Sequence, residues 1–266
     1  MRSLRLRALF AVLCSLSIAA CASSPVAQQP NSLAEVKDTA KVSQHLADAA
    51  RQEGDYAGAV ELYRKMLAAG GDPFQAHLGL GDSLLASAAL DDSEKEYQAA
   101  AVIAPGRPEP QLGLGRGLLA KHRPAEALRA FDQALKNGAD GAVALNGKGL
   151  ALDYLGRHAD AQLAYQEGLK VAPQDRVLRS NYGLSLALSG NYEPALALLM
   201  PIAQDAAATP RNRQNLALVL GLKGDPAAAR AVALHDLSAD AVDSNLQFYQ
   251  AARLASAGTA GAAAAH

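Results

Sequence analysis

The chain of 266 residues carries a formal charge of −1, and half of its residues are apolar, enough to bury a substantial core and too many for overall disorder. It has no Trp and four Phe but is rich in Ala, Leu and Gly, a composition that favours helices packed through small side chains over strand-rich folds. No Lys/Arg cluster lies beyond the N-terminus, so the electrostatic footprint of nucleic-acid binding is missing and an all-α protein with no nucleic-acid partner is expected.

Residues 1–20 read as a signal peptide, with a basic start (Arg2, Arg5, Arg7) and an apolar stretch from Ala8 to Ala20. That stretch is well short of the roughly 20 residues a membrane-spanning helix needs. Ile18-Ala19-Ala20-Cys21 resembles the bacterial lipobox, which implies cleavage immediately before Cys21 and acylation of that cysteine. The competing reading is ordinary secretory cleavage near Ala20 with Cys21 incidental. Loss of residues 1–20 removes three Arg and no acid, taking the charge from −1 to −4. Cys14 would leave with the signal peptide, so Cys21 is the sole mature cysteine and no internal disulfide can form. Each buried acyl methylene adds about 0.8 kcal/mol of membrane affinity, so several chains anchor durably. Ala22 follows the cysteine, and by resemblance to diderm lipoproteins the absence of Asp there implies an outer-membrane, periplasm-facing location. Residues 21–39, rich in Ser, Pro, Gln and Ala with no convincing periodicity until Leu33, are expected to form a flexible tether reaching about 20–25 Å.

From Ala40 to Asp243 the chain repeats every 34 residues without insertion: 40–73, 74–107, 108–141, 142–175, 176–209 and 210–243. The eighth position holds Ala47, Gly81, Gly115, Gly149, Gly183 and Ala217, and the twentieth Ala59, Ser93, Ala127, Ala161, Ala195 and Ala229. Small residues there let two helices cross closely, so Gly149 and Ala161 are expected to face each other. The eleventh position is mostly Leu. The twenty-fourth reads Tyr63, Tyr97, Phe131, Tyr165, Leu199, Ala233, large residues in the main that fill the space between one helix pair and the next. Gly54, Gly156, Gly190 and Gly224 mark the turn inside a repeat, and Pro124 and Pro226 open second helices. This pattern resembles the tetratricopeptide repeat (TPR) family over about 200 residues, which implies an all-α, right-handed superhelix of six helix-turn-helix repeats. Met66 and Asp236 replace the usual small residue in the first and last repeats, as terminal units often do. Residues 244–256, with Leu246, Phe248, Tyr249 and Leu254, are expected to form a capping helix, and 257–266 a disordered tail.

Six histidines are scattered over the chain without HExxH or metal spacing, and neither GxSxG nor a Walker loop appears. Gly79-Leu80-Gly81 and Gly113-Leu114-Gly115 recur at the repeat period, which makes them packing glycines. No metal, cofactor, catalysis or small-molecule substrate is expected. In the TPR register the concave groove is formed by Asp82 and Leu85; Leu112, Arg116 and Leu119; Asn146, Leu150, Asp153 and Tyr154; Ser180 and Leu184; and Gln214 and Leu218. Its apolar lining with a few polar spots suits an extended or helical peptide. Alternatively these leucines pack against neighbouring first helices. Of the Lys/Arg/Asn clamp with which some TPR domains grip acidic chaperone tails, only Asn181 has a matching position, so chaperone-tail binding is not expected.

The segments Pro210-Arg211-Asn212-Arg213-Gln214-Asn215-Leu216-Ala217-Leu218, Gly224-Asp225, His235-Asp236-Leu237-Ser238 and Asn245-Leu246-Gln247-Phe248-Tyr249 resemble the C-terminal signature of the TadD family, TPR lipoproteins of the tight-adherence (Flp) pilus system. The resemblance implies a scaffold in Flp pilus assembly whose partners are the outer-membrane secretin or other Tad components, with the membrane engaged through the lipidated cysteine. Competing readings are a type IV pilus pilotin, a β-barrel assembly lipoprotein, and an envelope-metabolism enzyme with accessory repeats. For the last, no segment outside the repeats is long enough to house a catalytic domain.

Overall fold

The computed structural model describes residues 33–263, with side chains from Asp38 to Ala255. The signal peptide, the lipobox Ile18, Ala19 and Ala20, and Cys21 lie outside the described residues. Every regular element among those described is a helix. The first three repeats supply α1 (Leu33–Glu53) and α2 (Tyr56–Ala68), α3 (Pro73–Ala86) and α4 (Leu90–Ile103), α5 (Glu109–Ala120) and α6 (Pro124–Lys136). The last three supply α7 (Gly141–Tyr154) and α8 (His158–Val171), α9 (Arg176–Leu188) and α10 (Tyr192–Gln204), α11 (Pro210–Lys223) and α12 (Pro226–Ala233), with α13 (Ala239–Ala263) closing the stack.

Local chemistry sets these boundaries. Asp72, Asp140 and Asp175 accept backbone N–H bonds at the starts of α3, α7 and α9, and Thr209 with Asn212 forms a reciprocal capping box on α11. First helices end where the residue at repeat position fifteen turns left-handed, with φ of +84° at Gly54 and +99° at Gly224. Ala88 (φ +62°) and His122 (φ +55°) take the same conformation without being glycine.

Packing between repeats centres on position twenty-four. Tyr97 lies between Gly81 of its own repeat and Gly113 of the next, and a Cβ on either glycine would come within 2.7 Å and 2.2 Å of the ring. Phe131 is held in the same way between Gly115 and Gly147. At Gly149 the ring of Tyr165 likewise lies 2.5 Å from where a Cβ would be. Small residues at the eighth position thus also make room for the side chain at position twenty-four, a ring at Gly81, Gly115 and Gly149 and Leu199 at Gly183. Positions eight and twenty still meet through backbone, as Ser93 Oγ donates to the Gly81 carbonyl at 2.8 Å.

The ends depart from the expected boundaries. Helix α1 starts at Leu33, inside the segment expected to be a tether through residue 39, and α13 runs to Ala263, through most of the tail expected to be disordered. The first extension is made largely of helix formers, and the second is Ala-rich and runs on through Gly258 and Gly261. Helix α12 ends at Ala233, so Asp236 lies past it and instead pairs with Arg213 at 2.6 Å. Helix α13 begins at Ala239, before the expected cap at 244, and packs Val242, Leu246 and Tyr249 inward. Phe248 and Leu254, expected to help cover the last apolar face, are 65% and 60% exposed.

Candidate functional site

Each first helix touches the first helix of the neighbouring repeat, whereas no second helix touches another second helix. The stack therefore curves with its odd-numbered helices on the inner side. Residues at positions two, five, nine, twelve and thirteen of those helices form a concave face whose character changes along its length.

In the first repeats the concave face is charged, and its carboxylates Asp48 and Asp82 are paired internally. Asp82 accepts from the Tyr97 hydroxyl at 2.6 Å and from Arg116 Nη2 at 3.0 Å. Arg51, Tyr56, Leu85 and Ala86 complete a cleft of about 340 Å³ around this pair. Asp48 accepts from the Tyr63 hydroxyl, one repeat earlier and at the same positions as Asp82 and Tyr97. Burial first, and the Asp48 carboxylate second, push the Tyr63 phenol up to about 12; burial and Asp82 push Tyr97 higher still.

Asp153, expected on the contact surface, is committed to structure. Its carboxylate accepts from Ser185 Oγ at 2.7 Å and the Tyr165 hydroxyl at 3.0 Å and sits 2.8 Å from His158 Nδ1, which leaves the side chain 11% exposed. Burial, reinforced by Asp153, holds the Tyr165 phenol well above the usual range. Tyr154, next in sequence, does project outward at 61% exposure. Leu112, Leu119, Leu150, Leu184, Gln214 and Leu218 are half-buried, and Ser180 is buried.

The last three repeats bring together what the first three do not. Leu150, Leu184 and Leu218 form the position-nine row, flanked by exposed Val143, Val177, Tyr154 and Leu188. Behind them runs a chain of polar side chains that joins successive first helices: Asn181 Nδ2 donates to Asn146 Oδ1 at 2.8 Å, and Asn215 Nδ2 donates to Ser180 Oγ at 2.9 Å. Both donors stand at repeat position six and both acceptors at position five. A cleft of about 440 Å³ opens there, with Arg176, Val177, Thr209, Arg211 and Asn212 at its rim. The expected groove set contained Asn146, Leu150, Leu184 and Gln214 but not Asn215, Arg176, Val177 or Arg211. For Val177 and Arg211 the signal was present, since both occupy position two of the register. Among the described residues no group of three or more His, Cys, Asp or Glu is placed to hold a metal ion.

A family model described as a tetratricopeptide repeat matches residues 45–108, 112–161 and 146–208. Among solved structures, PilW, titled a widely conserved type IV pilus biogenesis factor, superposes with a TM-score of 0.69 at 19% identity, over 80% of this chain and 98% of its own. PilF of Pseudomonas aeruginosa gives 0.62 at 18% identity over 74% and 90%, and the MamA protein 0.54 at 22% over 65% and 98%. Among curated proteins, none matches the sequence significantly.

Proposed function

Because the chain belongs to the tetratricopeptide repeat family, and such repeats scaffold protein–protein interactions, we propose that it is an outer-membrane-anchored lipoprotein that supports Flp/Tad pilus assembly by binding a protein in its concave groove. The secretin is the proposed partner, and the reading assigns no catalysis. The observation that carries the binding role is the half-buried row Leu150, Leu184 and Leu218 with exposed Val143, Val177, Tyr154 and Leu188 beside it, apolar surface left open to solvent. Support for the pilus comes from the C-terminal resemblance to TadD and from the likeness in fold to PilW. Anchoring through Cys21 rests on the lipobox and would raise the effective concentration of any partner assembling at the inner surface of the outer membrane.

The test is co-purification of the full chain with the secretin from detergent-solubilised outer membranes, together with metabolic palmitate labelling. Recovery of the secretin, loss of surface pili on gene deletion and loss of label in Cys21→Ser are expected. Unchanged piliation after deletion would refute the assembly role, and persistent label in Cys21→Ser would refute the anchor. A second reading, type IV pilus pilotin, is favoured by the PilW likeness alone and predicts co-purification with a type IV rather than a Tad secretin.

A further inference from the structure

The first helix leaves an apolar stripe bare at the end of the stack. In later repeats the ring at position twenty-four of one second helix reaches position six of the next first helix, as Tyr63 reaches Gly79 and Phe131 reaches Gly147. Positions three, seven and ten lie on the same side at helical spacing and look toward that preceding helix. Position three is accordingly buried at Ala76, Ala144 and Leu178, and position ten at Ser83, Ala151 and Val219. Helix α1 packs on α2 and α3 and has no preceding second helix among the described residues. Its own positions three and seven, Val42 and Leu46, are 56% and 52% exposed, and Ala49 at position ten is exposed with them. Repeat stacks normally close on a polar outer face, and two branched aliphatic side chains stand here instead.

The size of the stripe and its place in the chain select what covers it. Three side chains on one helix fall far short of the roughly 20–30 residues a side of a stable protein interface, so the stripe by itself cannot hold a second copy or a folded partner. It does lie at the end of the stack that the chain holds near Cys21. From Cys21 to Leu33 there are twelve peptide steps, which span at most about 40 Å in any conformation. Charge beside the stripe is balanced, with Asp38 and Lys41 both exposed, so a zwitterionic headgroup layer meets no net repulsion there.

We propose that Val42, Leu46 and Ala49 rest on the phospholipid surface beside the acylated Cys21, so that the stack stands on its first repeat. The proposal rests on the anchored-lipoprotein reading and adds an orientation to it. Two aliphatic side chains are too few to bring a free protein to a membrane. Tethering raises their effective concentration at the lipid, and a small contact is then enough to orient the protein. The last repeats, with the row Leu150, Leu184 and Leu218, are thereby held furthest from the lipid and open to the aqueous side.

The experiment places a polarity-sensitive fluorophore on the acylated full chain, through Ala49→Cys in the stripe and through Val102→Cys or Val171→Cys as controls, Cys21 being blocked by its acyl group. Val102 and Val171 are 81% and 62% exposed on second helices. Each protein is reconstituted in phosphatidylethanolamine–phosphatidylglycerol vesicles with and without nitroxide-labelled lipid. Quenching by the nitroxide lipid should be severalfold stronger at position 49 than at 102 or 171, and Val42→Asp/Leu46→Asp should reduce it to the control level at unchanged helical circular dichroism. If the double variant loses helicity, Val42→Ser/Leu46→Ser replaces it. Equal quenching at all three positions, in protein that still floats with the vesicles, would overturn the proposal and leave the anchor reading intact. Energy transfer between labelled copies at position 49 without lipid quenching would overturn it in favour of a second copy on the stripe. Protein that does not float with vesicles at all would refute the anchor and the proposal together.

Discussion

The hydroxyl of Tyr97 donates to Asp82 across 2.6 Å, so the ring that fills the core between the second and third repeats also fixes a carboxylate on the concave face. Arg116 bonds the same oxygen, which makes this carboxylate the meeting point of one core residue and of first helices from two repeats. Groove and core are mechanically one object here. Tyr97→Phe keeps the ring between its glycines and removes only the hydroxyl. A hydrogen bond to a charged group contributes about 1.5–3 kcal/mol, less when the acceptor reaches solvent. Asp82 is partly exposed, so a loss of about 1 kcal/mol in urea unfolding is expected. A midpoint unchanged in Tyr97→Phe would mean that solvent replaces the hydroxyl fully.

The buried phenols make stability fall at high pH. Tyr63 is raised to about 12, and Tyr97 and Tyr165 further, by burial and the adjacent carboxylates. A raised folded value means that the native state keeps its protons while the unfolded chain, near pH 10, releases them. Stability contributed by these groups is therefore intact below pH 10 and declines as pH rises through 10 toward 12. Absorbance at 295 nm should show fewer than the chain's eight tyrosines ionising by pH 11 in the native protein, and all eight in guanidinium. Complete native ionisation by pH 11 would contradict the buried hydroxyl–carboxylate pairs.

Two first helices end on a strained residue. Ala88 and His122 adopt positive φ where the other first helices end on glycine. A left-handed L-residue costs roughly 1–2 kcal/mol, against which glycine loses roughly 0.4–1 kcal/mol more chain entropy on folding. Ala88→Gly and His122→Gly should each stabilise by about 0.5–1 kcal/mol and raise the melting temperature, whereas Gly54→Ala should lower it. Destabilisation in both glycine variants would mean that these side chains make contacts worth more than the strain.

Close approach at Phe131 predicts coupling between sites far apart in sequence. A Cβ on Gly115 would lie 2.6 Å from the ring and one on Gly147 2.3 Å. Gly115→Ala should cost about 1–3 kcal/mol by overpacking. In Phe131→Leu the smaller, flexible side chain can yield, so the same substitution should cost less. A double-mutant cycle should show a coupling of about 0.5 kcal/mol or more; additive costs would place the clash elsewhere.

How much of this was legible in the sequence follows from what repeats and what does not. Gly81, Gly115 and Gly149 recur at one position, so the period exposes the close packing, although it does not by itself show that the ring at position twenty-four presses on these glycines. The left-handed turns at Ala88 and His122 were invisible because neither residue announces that conformation. Asp153 stood at a groove position, but its commitment depends on Ser185 arriving from the next repeat, 32 residues on, a coincidence set by the curvature of the stack. The same curvature brings Asn181 to Asn146 and Asn215 to Ser180. Helix ends at Leu33 and Ala263 were missed for a simpler reason: both lie outside the 34-residue period, and Gly258 and Gly261 read as a stop that the last helix passes through.

The groove role can be separated from stability by choosing residues that face solvent on opposite sides of the stack. Reversing Arg116 and Asp153 together would not do this, since Asp153 holds Ser185, Tyr165 and His158 and its loss would disturb the fourth and fifth repeats. Tyr154 and Leu188, 61% and 57% exposed at the thirteenth position of adjacent first helices, have little packing to lose. Leu163 on the second helix α8, 60% exposed, is a matched control away from the concave face. Tyr154→Lys/Leu188→Lys should leave the helical signal and melting temperature nearly unchanged, because surface substitutions usually shift stability by within about 0.5 kcal/mol. It should nevertheless reduce secretin recovery and surface pili severalfold, by placing two charges where an apolar segment would dock. Leu163→Lys should be silent in every assay. Normal recovery and piliation with the double Lys variant, at unchanged helicity, would move the partner off the concave face; equal loss with Leu163→Lys would assign the effect to surface charge rather than to the groove.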